Sequence, residues 1–216
     1  MALGLACLAK AQTAQDDKGP PYKFATTVVG EPLYKFGTTV VATSGFKGLI
    51  YYLEFNAYQL PKFSKLKPVG AVYTPYLFVP PQDFSEGFPG VSKRYEWFAI
   101  DYTGRFWVSE PGSYKFALAS DDGSILYIDG KVIIDNDGQH ATQELEGGLK
   151  LKTGVHHVRV SYFQGPRFHV ALVLRVMGPK DRMYKVFNLE EYKPPVDAPG
   201  WGDEEQPPED KPRKKR

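Results

Sequence analysis

Between residues 45 and 187 the hydrophobic positions recur with a period of two, in short runs separated by Gly, Pro, Asp and Asn, which is the pattern of strands that bury one face. Tyr114, Phe116 and Leu118 fall on one side of such a run, and Lys115, Ala117 and Ala119 on the other. A strand over Ile125–Ile128 meets Asp129-Gly130, a strong two-residue hairpin signal, and returns through Lys131-Val132-Ile133-Ile134. Two further strands cover 157–163, with Val158, Val160 and Tyr162 in register, and 169–176, with Val170, Leu172, Leu174 and Val176 in register. The short connection Gln164-Gly165-Pro166-Arg167 predicts that these two pair with each other. Earlier strands are expected at 49–55, 96–100 and 105–108. From Asn56 to Tyr95 six prolines, at 61, 68, 75, 80, 81 and 89, interrupt any central strand. With many short strands and no helical crossover, the fold class is all-β, an antiparallel, barrel-like β-sandwich.

Composition agrees with this. The 31 aromatic residues and 39 Gly plus Pro among 216 favour strands and turns over helices. Lys and Arg number 27 against 25 Asp and Glu, so a net charge of +2 gives no field that would gather nucleic acid. No run of apolar residues is long enough for a membrane-spanning helix.

The two ends read differently from the body. Residues 3–9 are apolar and lead into Ala9-Lys10-Ala11, a small-x-small pattern, so residues 1–20 are expected to be a short export leader and the protein to be secreted or periplasmic. Leu5-Ala6-Cys7 offers lipidation as an alternative. Cleavage after Ala11 would remove Cys7, the one cysteine, and leave no thiol chemistry. Residues 21–193 form the expected domain. From 194 to 216 the chain carries six Pro, six acidic and five basic residues with Trp201 as its one aromatic, a composition expected to stay unfolded, and ends in the basic cluster 211–216.

Chemistry concentrates in Ser120-Asp121-Asp122-Gly123-Ser124, between two predicted strands. Neighbouring side chains of an extended strand point to opposite faces, so Asp121 and Asp122 can serve one ion only where the backbone departs from regular geometry, as a cis peptide would achieve. Their other role is to cap the turn by accepting backbone N–H bonds. A second acidic loop, Asp135-Asn136-Asp137-Gly138, fails as an EF-hand, because Ile133 falls where the first carboxylate is required and flanking helices are missing. His140, His156, His157 and His169 lack the i, i+4 zinc spacing, and neither a nucleophile elbow nor a phosphate loop is present. Catalysis therefore has no visible starting point, apart from a carboxylate pair assembled in space.

The run Gly112-Ser113-Tyr114-Lys115-Phe116-Ala117-Leu118-Ala119-Ser120-Asp121-Asp122-Gly123-Ser124, followed by Leu126-Tyr127-Ile128-Asp129-Gly130, resembles the PA14 domain, a β-sandwich module. The likeness continues through Val132–Asn136, His140 and Val158–Phe163, extends upstream to Gly48, Tyr51-Tyr52 and Trp97–Gly104, and spans about residues 45–178. The resemblance implies a noncatalytic binding module that takes a glycan or cell-surface polysaccharide. It further implies that Asp121 and Asp122 hold Ca²⁺ through a cis peptide and that this ion binds vicinal sugar hydroxyls. The later loop that completes the site corresponds to 164–167, where Gln164 and Arg167 are the nearest polar groups to a sugar, with Tyr162 or Phe168 to pack on a ring. The alternative is a structural module that docks on an envelope protein, with the two aspartates merely holding the turn.

Overall fold

The alternating pattern is realised as strands throughout in a computed structural model, which describes residues 28–29, 45–91, 94–199 and 201. Residues 1–20, read above as an export leader, and the basic cluster 211–216 lie outside the described residues. Two antiparallel sheets face each other. The first runs, in spatial order, β1 (Val28–Val29), β3 (Gly70–Thr74), β2 (Phe46–Tyr52), β5 (Phe98–Val108), β10 (Gly154–Gln164), β7 (Ser124–Ile128) and β8 (Lys131–Asn136). The second runs β12 (Lys185–Val186), β11 (His169–Met177), β6 (Gly112–Asp121) and β9 (Gln143–Leu151), and β4 (Phe78–Asp83) pairs with β11. No helix among the described residues is long and apolar enough to cross a membrane.

The two-residue period sorts side chains as expected. Tyr114, Phe116 and Leu118 of β6 enter the space between the sheets, where they join Phe98, Ile100 and Phe106 of β5 and Val158, Val160 and Tyr162 of β10. The hairpin β7–β8 turns at Asp129-Gly130 with φ of 49° and 71°, the two left-handed residues that a type I′ turn requires. The prolines 80 and 81 sit in β4, which pairs only with β11 and so has a free side for a residue that cannot donate.

Three expectations change. The strands read at 96–100 and 105–108 are one strand, β5. Gly104 does not break it but makes room for Leu189, whose Cδ1 would lie 2.7 Å from a Cβ there. The run read at 49–55 lies three residues earlier, at 46–52. The strands at 157–163 and 169–176 do not pair. β10 pairs with β5 and β7, while β11 pairs with β6, β4 and β12, so residues 165–168 carry the chain from one sheet to the other. The physical reason is burial on both faces. Val158 to Gln164 are buried without a break, because β10 is central in its sheet and that sheet's outer face is itself covered.

The cover is a second apolar cluster. Residues 53–66 lie over the outer face and bury Leu53, Leu60 and Phe63 against Tyr51, Trp97, Ala99, Ile125 and Phe163. On the same face Arg159 Nε donates to Asp101 Oδ1 at 2.8 Å, which keeps a nearly buried cation paired.

Away from that face, beside the β7–β8 turn, both ring nitrogens of His156 meet acceptors, Asp129 Oδ2 at 2.7 Å and Lys152 O at 2.8 Å, so only the imidazolium satisfies both. The hydrogen bond to Asp129 raises the His156 pKa against the opposing effect of burial. Burial alone would raise Asp129, but the bonds from His156 and from the His157 N–H hold it below the usual carboxylate range. The imidazolium's stabilisation is therefore complete below the ordinary histidine value and is lost as pH rises through the raised one. That of Asp129 is lost as pH falls through its lowered value. With Asp129 partly exposed, urea unfolding should show about 0.5–1 kcal/mol lost as pH rises from the ordinary histidine value through the raised one, a slope that Asp129→Asn flattens.

Candidate functional site

At one end of the sandwich β6 runs into β7 through Asp121-Asp122-Gly123, and the Asp121–Asp122 peptide is cis. Serines 120 and 124 close the base of this turn with a hydroxyl pair at 2.7 Å, and Asn136 Nδ2 donates to Ser120 Oγ at 3.0 Å. Asn136 in turn accepts from Gln143 Nε2 at 2.8 Å. These polar groups are bonded to one another, so the turn rests on a satisfied network inside the fold.

Gly123 is set by space rather than by its dihedral angles. A Cβ there would lie 2.4 Å from the Phe163 ring and 2.7 and 2.9 Å from N and O of Gly138, so the 137–140 loop closes directly over the turn. Gly123→Ala should therefore cost about 1–3 kcal/mol of stability and displace that loop, read as a lower urea midpoint together with shifted His140 and Asp122 NMR signals.

The loop matters because it binds Asp122. His140 N–H donates to Asp122 Oδ1 at 3.1 Å and Gly165 N–H to Oδ2 at 2.8 Å, so this one carboxylate ties together the 137–140 loop and the 165–168 crossing. Asp121 Oδ2 accepts from Thr142 Oγ1 at 3.0 Å. Its Oδ1 has no hydrogen bond among the described residues. Both aspartates are buried, at 7% and 4% exposure, and neither has an ion-pair partner among the described residues. Burial pushes the Asp122 pKa up to about 6 against the two backbone donors, and the neighbouring charge of Asp121 adds to the rise.

The remaining predicted residues separate. Arg167 is at the surface, its guanidinium 3.5 Å from Glu96 and over the Phe84 ring at 5.9 Å. Phe168 is 76% exposed at the end of the crossing, beside β11. Gln164 and Tyr162 are fully buried and do not reach the surface. Tyr162 Oη lies 2.7 Å from Asp121 O and 2.6 Å from Gln164 Oε1, and Gln164 Nε2 reaches Pro166 O and His169 O at 3.3 and 3.0 Å. Burial holds the Tyr162 phenol well above its ordinary pKa, so it stays a donor. These two residues position the Asp121 carbonyl and the crossing. The sequence offers Gln164 as a polar contact and Tyr162 as a ring for a sugar, but the connection changes sheets, its first residue belongs to the core, and Tyr162 keeps to the inward row of Val158 and Val160.

Asp121 and Asp122 suit a hard cation in charge and in donor type. They are two buried carboxylates opposed only weakly by the charge of His140, one oxygen of the pair is uncommitted, and no thiol stands nearby among the described residues. Among the described residues no third His, Cys, Asp or Glu joins them. Calcium needs about 6–8 oxygens, so most of its shell would come from neutral groups and solvent. The acidic loop Asp135-Asn136-Asp137-Gly138 plays a different part. Asp137 Oδ1 accepts from Leu60 N–H at 2.8 Å and Asp135 Oδ1 from Asp137 N–H at 3.3 Å, so its carboxylates fasten chain segments.

Solved structures share this architecture. The PA14 domain of the MpAFP antifreeze protein superposes with a TM-score of 0.56 at 14% identity, over 68% of this chain and 88% of that one. The PA14 sugar-binding domain from an RTX adhesin gives 0.56 at 15% identity, over 69% and 97%. An anti-sigma factor domain-containing protein from Clostridium clariflavum gives 0.53 at 17% identity, over 70% and 47%. Of another anti-sigma factor domain-containing protein the chain spans 51% of the length, with a TM-score of 0.55 at 19% identity. No curated protein sequence matches the chain. The sequence profile of the PA14 domain matches residues 78–186, half of the 216 residues, and that span contains both sheets' central strands and the Asp121-Asp122 turn. The chain belongs to the PA14 domain family.

Proposed function

We propose that the protein is a noncatalytic carbohydrate-binding module that works outside the cytoplasm, with the Asp121–Asp122 end of the sandwich as its binding site. The observation that carries this reading is the pair of adjacent buried carboxylates, of which Asp121 keeps one oxygen without a hydrogen bond among the described residues. Asp121 and Asp122 would hold Ca²⁺, which supplies coordination positions to vicinal hydroxyls of a glycan or cell-surface polysaccharide. Phe168 offers a ring for the apolar face of a sugar, and Arg167 a donor fork for its hydroxyls. The sugar-binding domain of the RTX adhesin, which has the same fold, supports the ligand class.

A second reading has its own observation. Both Asp122 oxygens are spent on backbone N–H groups, as a loop clamp needs, and in that case the sandwich would be a structural module that docks on an envelope protein. A glycan array probed with and without EDTA, alongside Asp122→Ala, separates the two. Binding that needs both calcium and Asp122 supports the lectin reading. Binding indifferent to both removes calcium from it, and no sugar binding with recovery of an envelope protein favours the clamp.

A further inference from the structure

The segment 53–66 does more than cover a sheet. Its apolar residues divide into two sets. Leu53, Leu60 and Phe63 are buried in the outer cluster at 7%, 4% and 7% exposure, while Phe55 and Tyr58 stand in solvent at 73% and 67%. Burial explains the first set and leaves the second without a packing role. The segment is also fastened to the candidate site. Leu60 N–H donates to Asp137 Oδ1 at 2.8 Å, and Gln139 Nε2 donates to Ala57 O at 3.1 Å. Gln139 in turn borders the aspartate pair, since a Cβ on Gly165 would meet Asp122 Oδ2 at 3.1 Å and Gln139 Nε2 at 3.3 Å. On the other side the Phe55 ring lies 5.1 Å from that of Trp97, and the backbone N–H of Trp97 donates to Gly165 O at 3.4 Å. Gly165 thus bonds both to Trp97, which supports Phe55, and to the Asp122 carboxylate.

We propose that residues 53–66 form a second subsite, in which Phe55, braced by Trp97, and Tyr58 receive the next ring of an oligosaccharide whose terminal sugar occupies the Asp121–Asp122 end. A pyranose presents apolar C–H faces between its hydroxyls, and an exposed aromatic shelf beside a carboxamide matches that alternation. The shelf thereby selects for chain length and linkage, while the aspartate end selects for the hydroxyl pattern. The inference rests on the carbohydrate reading above and extends it.

The test is a glycan array carrying each terminal sugar both alone and as the end of di- to tetrasaccharides, probed with the full chain, with Phe55→Ala and with Phe55→Tyr. Because Phe55 is largely exposed, both variants should keep the native melting temperature and calcium response. Phe55→Ala should lose about tenfold in affinity for the longer glycans, with the monosaccharides unchanged, and Phe55→Tyr should restore it. Native binding that does not depend on chain length, or equal loss for all lengths, overturns the second subsite and leaves the aspartate site standing. No binding of any sugar by the native chain overturns both. A native dimer that Phe55→Ala converts to monomer overturns it in favour of self-association.

Discussion

Phe187→Ala should unfold with about 3–5 kcal/mol less stability than the native chain, a large part of the roughly 5–15 kcal/mol that holds a domain of this kind together. Phe187 follows β12 and is fully buried. Its ring meets Phe106 edge-on at 5.2 Å and Phe116 at 5.6 Å, one from each sheet, and Tyr192 at 5.1 Å. Its N–H donates to Leu174 O at 2.9 Å, so the ring is inserted from a strand that is already in register. Removing it leaves a hole bounded by both sheets, which cannot collapse without separating strands. Phe187→Leu, which fills much of the volume, should cost less than half as much. Because the family profile ends at residue 186, a fragment cut there would lack this plug and also Leu189, which packs over Gly104. Urea denaturation of the three proteins checks the order, and equal midpoints would place the plug outside the core.

The two aspartates should respond in opposite directions to the same change. Asp122 accepts a backbone N–H at each oxygen, so Asp122→Asn must set its amide group against one of them in either orientation. That loss should destabilise the metal-free protein by about 1–3 kcal/mol. Asp121 uses one oxygen, toward the Thr142 hydroxyl, and an asparagine carbonyl can accept that bond equally well. Asp121→Asn also removes the like charge that helps to raise Asp122, so the metal-free protein should become more stable by about 1 kcal/mol. Both variants should lose calcium binding. Stabilisation together with loss of the ion is the signature of a pair kept for a cation, and a turn kept only for its own stability would be weakened by both changes. Thermal melts with EDTA and with calcium give all four values.

How much of this was legible follows from what a strand pattern encodes. Alternation reports which face is buried, so Tyr114, Phe116 and Leu118 could be assigned to the core and Asp129-Gly130 to a hairpin. It carries no information about which strands are partners. The step from β10 to β11 was read as a hairpin because 165–168 is short, yet the same length crosses between sheets where both strands are already paired on other edges. The Asp121-Asp122-Gly123 turn was visible because its residues adjoin in sequence. The 53–66 cover was not, because Pro61 and mixed polarity suggest loop and its role depends on Ile125 and Phe163, far along the chain. Gln164 was placed beside a sugar as one of the nearest polar groups and Tyr162 as a ring to pack on it, but the fold buries both and satisfies their polar atoms internally.

The most direct test is isothermal titration of calcium into the metal-free protein, repeated with Asp121→Asn. One ion per chain, with a dissociation constant in the range of about 10⁻⁴–10⁻³ M that suits a shell completed by solvent and sugar, and no heat from the variant, is the result expected. Titration of the native chain with no heat at millimolar calcium, while the protein stays folded, would contradict the account and leave Asp121 and Asp122 as fasteners of the two loops they bind.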